Sequence, residues 1–142
     1  MNFLQYRLAD IDSFPFFYES IALKSEDVKN IYDVVSHVQS TSSPINAVDI
    51  SFMERDSIVF LLQSFDANNS DVYILWCSNN VGIKIPYHFF CKFYDDLWYP
   101  SSDDVWVYDT QNKFCLEISH EEIVMFWRPF HEGVHIFYPG GQ

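Results

Sequence analysis

Three short runs rich in Val, Ile, Leu and aromatic residues occupy positions 105–109, 114–119 and 123–127, separated only by Thr110-Gln111-Asn112-Lys113 and by His120-Glu121-Glu122. Links this short leave no room for a crossover helix, so consecutive strands must fold back on one another and the segment predicts an antiparallel meander.

The rest of the chain has to cover that sheet. Ser25-Glu26-Asp27 supplies a cap and two first-turn acids, and Val28, Ile31, Tyr32, Val35 and Val38 follow at helical spacing. This predicts a helix over 26–39 that stops at Ser40-Thr41-Ser42-Ser43-Pro44. Residues 14–23 are aromatic and read as a short helix starting at Ser13, with Pro15 in its first turn. Residues 57–65 and 71–78, both rich in β-formers and joined by Asp66-Ala67-Asn68-Asn69-Ser70, predict a β-hairpin. A competing reading makes Ser51-Phe52-Met53-Glu54 a capping box and places Ile58, Leu61, Leu62 and Phe65 on one helix face. After a turn at Asn79-Asn80-Val81-Gly82, Pro86 opens a helix over 87–94, which Pro100 ends. The expectation is one α+β domain over residues 1–142, an antiparallel sheet of about five strands with two or three helices packed on it. Its strands begin at Ser57, Asp71, Val105, Phe114 and Ile123, the 26–39 helix covers one side, and Trp76, Phe90 and Trp106 lie in the core.

Composition supports a folded core and narrows the partners. A chain of 142 residues that is 49% hydrophobic and 19% aromatic has ample apolar surface to offset chain entropy. Its 20 Asp+Glu face 8 Lys+Arg, a formal net charge of −12. Ten acids and four bases fall on each side of residue 70, so the acidity belongs to the whole surface and not to a tail. Such a field repels phosphate backbones and anionic bilayers, which argues against direct binding to nucleic acid or membrane. No apolar run reaches the roughly 18 residues of a membrane helix, and residues 1–12 lack a signal-peptide pattern, so a cytoplasmic protein is expected. Cys77, Cys91 and Cys115 are odd in number, widely spaced and set in apolar sequence, as reduced core residues would be.

Two constellations could carry chemistry. His131-Glu132-Gly133-Val134-His135 matches H-E-x-x-H, in which two histidines one helical turn apart bind zinc and the glutamate activates water. Gly133 interrupts the helix that this mechanism needs, Pro129 and Pro139 bracket it, and residues 134–138 fit a strand better. The second is Tyr94-Asp95-Asp96-Leu97-Trp98-Tyr99-Pro100-Ser101-Ser102-Asp103-Asp104-Val105-Trp106, four aspartates interleaved with large aromatics at a helix-to-strand turn. It lacks the D-x-D-x-D-G spacing of a calcium loop. It can serve structurally, with Ser and Asp capping backbone N–H groups while Trp98 and Trp106 pack inward, or as a patch that attracts a basic partner beside rigid aromatic anchors. His120-Glu121-Glu122 reads as a solvated turn with a slightly favoured imidazolium. No glycine-rich phosphate loop and no G-x-S-x-G elbow occurs. No catalytic residue, resident metal or cofactor is expected.

The run from Asp95 to Asp109, followed by Leu116-Glu117-Ile118-Ser119-His120-Glu121, resembles small bacterial immunity proteins, the cytosolic neutralisers paired with toxins of contact-dependent growth inhibition and other polymorphic-toxin systems. The resemblance covers about residues 57–127. It implies a small, non-enzymatic α+β protein that binds a cognate toxin domain and occludes it, as a monomer that forms a 1:1 heterodimer. The charge adds the expectation that the toxin is basic and of the nuclease type. Asp95, Asp96, Trp98, Ser101, Ser102, Asp103 and Asp104 are the expected toxin-binding residues. Two alternatives share parts of this pattern: a metal-dependent hydrolase using His131, Glu132 and His135, and an acidic mimic of DNA. A DNA mimic predicts regularly spaced carboxylates along one face, whereas these acids come singly and in pairs among aromatics.

Overall fold

The computed structural model describes residues 3–66, 69–111 and 113–128. The predicted meander is present as β4 (Val105–Asp109), β5 (Cys115–Ile118) and β6 (Ile123–Trp127), paired antiparallel through registers such as Val107 with Leu116 and Leu116 with Phe126. Two elements extend it on one side, β2 (Asp71–Trp76) and β3 (Val81–Pro86), and β1 (Asn46–Asp49) extends it on the other. Among the described residues, the result is a six-stranded antiparallel sheet in the order β1-β6-β5-β4-β2-β3.

Among the described residues, five helices flank this sheet: α1 (Phe3–Ala9), α2 (Tyr18–Ile21), α3 (Ser25–Thr41), α4 (Arg55–Gln63) and α5 (Tyr87–Leu97). Strand alternation divides the core in two. Tyr73, Leu75, Trp106, Tyr108, Cys115 and Trp127 face α3, which buries Val28, Ile31, Val35 and Val38 against them. Full burial of aliphatic side chains of this size contributes roughly 1.5–3 kcal/mol each. The opposite sheet face, with Val72, Ile74, Trp76, Val107, Leu116 and Phe126, is covered by α1, α2, α4 and α5. Trp76, Phe90 and Trp106 are all buried, as expected.

Several expectations are corrected. Residues 57–65 are helical, since α4 spans Arg55–Gln63 and buries Ile58 and Leu62; the spacing of four, not alternation, was the relevant period. The competing helix reading holds without its capping box, because Glu54 takes the N-cap position with no side-chain cap hydrogen bond. The hairpin therefore joins β2 to β3, not 57–65 to 71–78, through a 3-10 turn at Cys77–Asn79 and a left-handed Asn80 (φ 55°), with Val81 and Gly82 already in the strand. The short helix expected from Ser13 begins instead at Tyr18, with Ser13 itself at φ 62°. In α3, Ser25 is the first helical residue and not the cap.

Candidate functional site

The aspartate-rich turn leaves α5 where Trp98 N–H donates to Tyr94 O at 2.8 Å, and Pro100 prevents the helix from continuing. It closes when Asp103 N–H donates to Tyr99 O at 3.1 Å, with Ser101 in the left-handed region at φ 70°. Around it sits a buried polar network. Leu97 O accepts from Trp76 Nε1 at 2.8 Å and from Arg7 Nη1 at 3.1 Å. Asp103 Oδ2 accepts from the same Arg7 nitrogen at 2.6 Å and from Tyr99 N–H at 2.8 Å, and Trp98 Nε1 donates to Asp103 O at 3.1 Å. The Arg7 guanidinium lies between two rings, 3.7 Å from the centre of Tyr99 and 4.7 Å from that of Phe3.

Of the seven residues expected at a recognition surface, Asp95, Asp96, Ser101 and Ser102 are exposed and Asp104 is half-buried. Two are not on the surface. Asp103 is 6% exposed and Trp98 is 4% exposed. The correction has a physical reason: a buried guanidinium needs a counter-charge, and Asp103 supplies it while also accepting the turn's own N–H. Asp95 Oδ2 accepts from Arg55 Nε at 2.9 Å, and burial with the neighbouring Asp95 raises the Asp96 carboxyl above its usual range.

A second polar group borders the turn. Asp104 Oδ1 accepts from His120 N–H at 2.8 Å and meets His120 Nδ1 at 2.9 Å, which raises the imidazole above its ordinary value. Glu117 sits in β5 opposite Trp106 and Met125, on the face toward α3. Burial first, and the nearby Asp104 second, push its carboxyl up to about 7. Burial likewise pushes the Cys77 and Cys91 thiols up to about 12 and raises Cys115 as well, which disfavours the thiolate form at all three free cysteines.

The turn separates two surface hollows. One, about 270 Å³, is lined by Phe3, Tyr6, Arg7, Asp10 and Tyr99. The other, about 260 Å³, lies among Ile50, Ser51, Met53, Ile58, Tyr94, Asp95, Trp98, Pro100 and Glu122. Exposed aromatics line the first, Tyr6 at 61% and Tyr99 at 40% exposure, and Phe52, 98% exposed, stands in the chain between two residues that line the second, Ser51 and Met53. Sequence reasoning missed Tyr6, Arg7, Phe52, Met53 and Glu122. Only Arg7 left a signal, because Leu4, Arg7, Leu8 and Ile11 share one helical spacing and a lone cation on an apolar face demands a buried partner.

Among the described residues, no group of three or more His, Cys, Asp or Glu side chains could hold a metal ion, and no helix is long and apolar enough to cross a membrane. The 131–135 motif lies outside the described residues. Comparison of the chain with protein-family models, curated proteins and solved structures gives no match.

Proposed function

We propose that this chain is a non-enzymatic inhibitor of the immunity type, which acts in the cytoplasm by binding a basic toxin domain one to one and occluding it. The observation that carries this reading is one surface region. Exposed carboxylates (Asp10, Asp95, Asp96) and exposed aromatics (Tyr6, Phe52, Tyr99) surround a turn held rigid by buried hydrogen bonds, on a chain of net charge −12. Carboxylates steer a cationic partner into place and raise the association rate, while aromatic anchors slow its departure. A rigid scaffold keeps the ordering cost of binding small.

The test is protection. Cells making a basic nuclease toxin domain, taken from the reading frame beside this chain's gene, should survive when the chain is co-produced, and the purified pair should elute as a 1:1 complex. Absence of both complex and protection overturns the reading. So does purified chain that carries stoichiometric zinc and hydrolyses a substrate in a chelator-sensitive way, the outcome that a metallohydrolase requires.

A further inference from the structure

We propose that the hollow between the β1–α4 loop, α5 and the β5–β6 turn is a socket for one arginine side chain of the partner protein, with Phe52 beside it inserting into the partner. This deepens the inhibitor reading and rests on it for the partner's identity.

The size of the hollow comes first. At about 260 Å³ it falls below the roughly 300–1,000 Å³ of small-molecule sites and suits a single long side chain. Its lining then selects the side chain. Buried Ile50 and Ile58 with half-buried Met53 make an apolar floor, Tyr94 and Trp98 add aromatic surface, and Asp95 and Glu122 add two carboxylates. Arginine matches all three surfaces, because its stem covers apolar groups, its flat head stacks on rings, and its fork pairs with a carboxylate. An aliphatic side chain would take water from Glu122 and from an Asp95 that already has one cationic partner, with no return, and lysine would forgo the stacking and the fork.

Charge points the same way. Residues 49–56, 92–96 and 121–122 hold two cations, Arg55 and Lys92, while Asp49, Glu54, Asp56, Asp96 and Glu121 add to the two lining acids. Arg55 is already committed, donating to Asp95 Oδ2 at 2.9 Å and to Lys92 O at 2.7 Å. It also shows that a guanidinium is at home against this carboxylate.

The walls are tied in advance. Ile50 N–H donates to Glu122 O at 2.9 Å, Met53 N–H donates to Ile50 O at 3.1 Å, and Asp49 accepts from both the amide and the hydroxyl of Ser51. Glu122 occupies this corner at φ 63°, a conformation that a residue with a Cβ adopts at a cost. Between the lining residues Ser51 and Met53, Phe52 is 98% exposed. A fully solvated phenyl ring beside an apolar hollow gives the surface a knob next to a hole, and interfaces draw their binding energy from such aromatic and arginine anchors.

The experiment has two arms. Isotope-labelled chain is titrated with N-acetyl-argininamide, N-acetyl-lysinamide and N-acetyl-norleucinamide while the Trp98 indole, the Met53 methyl and the Glu122 amide are followed by NMR. Argininamide should shift all three signals and saturate at several-fold lower concentration than lysinamide, norleucinamide should leave them unmoved, and Glu122→Gln should weaken argininamide binding several-fold. Equal response to norleucinamide, or argininamide shifts mapping to other acids, overturns the socket. In the second arm, Met53→Trp fills the hollow and should weaken toxin binding by at least 100-fold, with a dispersed spectrum certifying the fold and Glu122→Gln serving as the milder variant. If both variants bind the toxin domain as the parent does, the socket is wrong and the inhibitor reading stands. If argininamide seats as described but no basic toxin domain binds, the socket stands and the inhibitor reading falls.

Discussion

Arg7 reaches across 96 residues of sequence to donate a 2.6 Å hydrogen bond to Asp103, and both side chains are almost wholly buried. Together with the hydrogen bond from the same nitrogen to Leu97 O, it ties the first helix to the turn that follows the exposed Asp95 and Asp96 at the end of α5. It also separates the aspartate cluster into a structural member and surface members, a division that spacing alone does not reveal.

Asp103→Asn leaves the Arg7 guanidinium buried without its counter-charge, and loss of one partner of such a pair costs about 3–5 kcal/mol. Urea unfolding should register a loss of that size for Asp103→Asn and for Arg7→Met. The double variant Arg7→Met/Asp103→Asn has no buried charge and keeps an acceptor for Tyr99 N–H, so it should recover a large part of the loss. Strictly additive losses would show that the pair is not coupled.

The same division explains what was legible in the sequence. The β4–β5–β6 meander was readable because each strand is short and apolar and its links admit one geometry. Residues 57–65 were misread because Ser-Ile-Val-Phe-Leu-Leu is rich in β-formers, and only the tertiary setting, in which Ile58 and Leu62 pack inward while Phe60 faces solvent, selects the helix. β3 does alternate, with Val81, Ile83 and Ile85 set against Gly82 and Lys84, but the preceding Asn79-Asn80 drew its first residues into the turn. β1 left no such trace, since an edge strand of sequence Asn-Ala-Val-Asp buries too little to pattern. At the site, the turn was found from its composition, whereas Phe52, Met53 and Glu122 come from two other segments that meet it only in three dimensions.

Gly82 stands where a Cβ would lie 2.9 Å from Ile74 O and 3.0 Å from Leu23 Cδ1. The carbonyl belongs to the neighbouring strand β2 and cannot withdraw without disturbing the ladder. Gly82→Ala should therefore destabilise the fold by about 1–3 kcal/mol, the usual cost of forcing extra volume into a packed site. An unchanged thermal midpoint would mean that the β2–β3 hairpin yields more easily than its pairing suggests.

Glu117 gives the fold an unusual pH response. Its carboxyl holds a proton up to about 7 in the folded chain against 4.5 for an unburied glutamate. Between those values the folded state binds more protons than the unfolded one, so this group makes stability fall as pH rises, by on the order of 3 kcal/mol once the window is crossed. Glu117→Gln should match the parent near pH 4 and exceed it above pH 7. Parallel stability profiles for parent and variant across this range would show that Glu117 does not titrate there.

His120 should report on its pairing directly. Asp104 raises the imidazole by hydrogen bond and by charge, so Asp104→Asn should move the His120 titration midpoint downward in an NMR pH series. The pair favours the folded state at low pH and loses that contribution as pH rises through the folded-state midpoint. An unmoved midpoint would place the cause elsewhere, Glu117 and Glu121 being the other acids that raise it.

Steering and anchoring are separable on the proposed binding surface. Asp95→Asn/Asp96→Asn removes two exposed negative charges, and because such charges act before contact, association with a basic toxin domain should slow several-fold at low salt and lose part of its salt dependence. Phe52 is the complementary probe. With 98% of its surface in water its removal takes no packing from the free chain, so Phe52→Ala should leave stability within about 0.5 kcal/mol of the parent. If the ring is an anchor, the same variant should speed dissociation by about tenfold or more, since loss of a buried interface aromatic costs at least about 1–2 kcal/mol. Stopped-flow mixing separates the two rates. A double aspartate variant with unaltered association at low salt, together with a Phe52→Ala variant of unaltered dissociation, would move the contact surface away from the turn and toward the other hollow, where Tyr6 and Tyr99 stand exposed over Arg7.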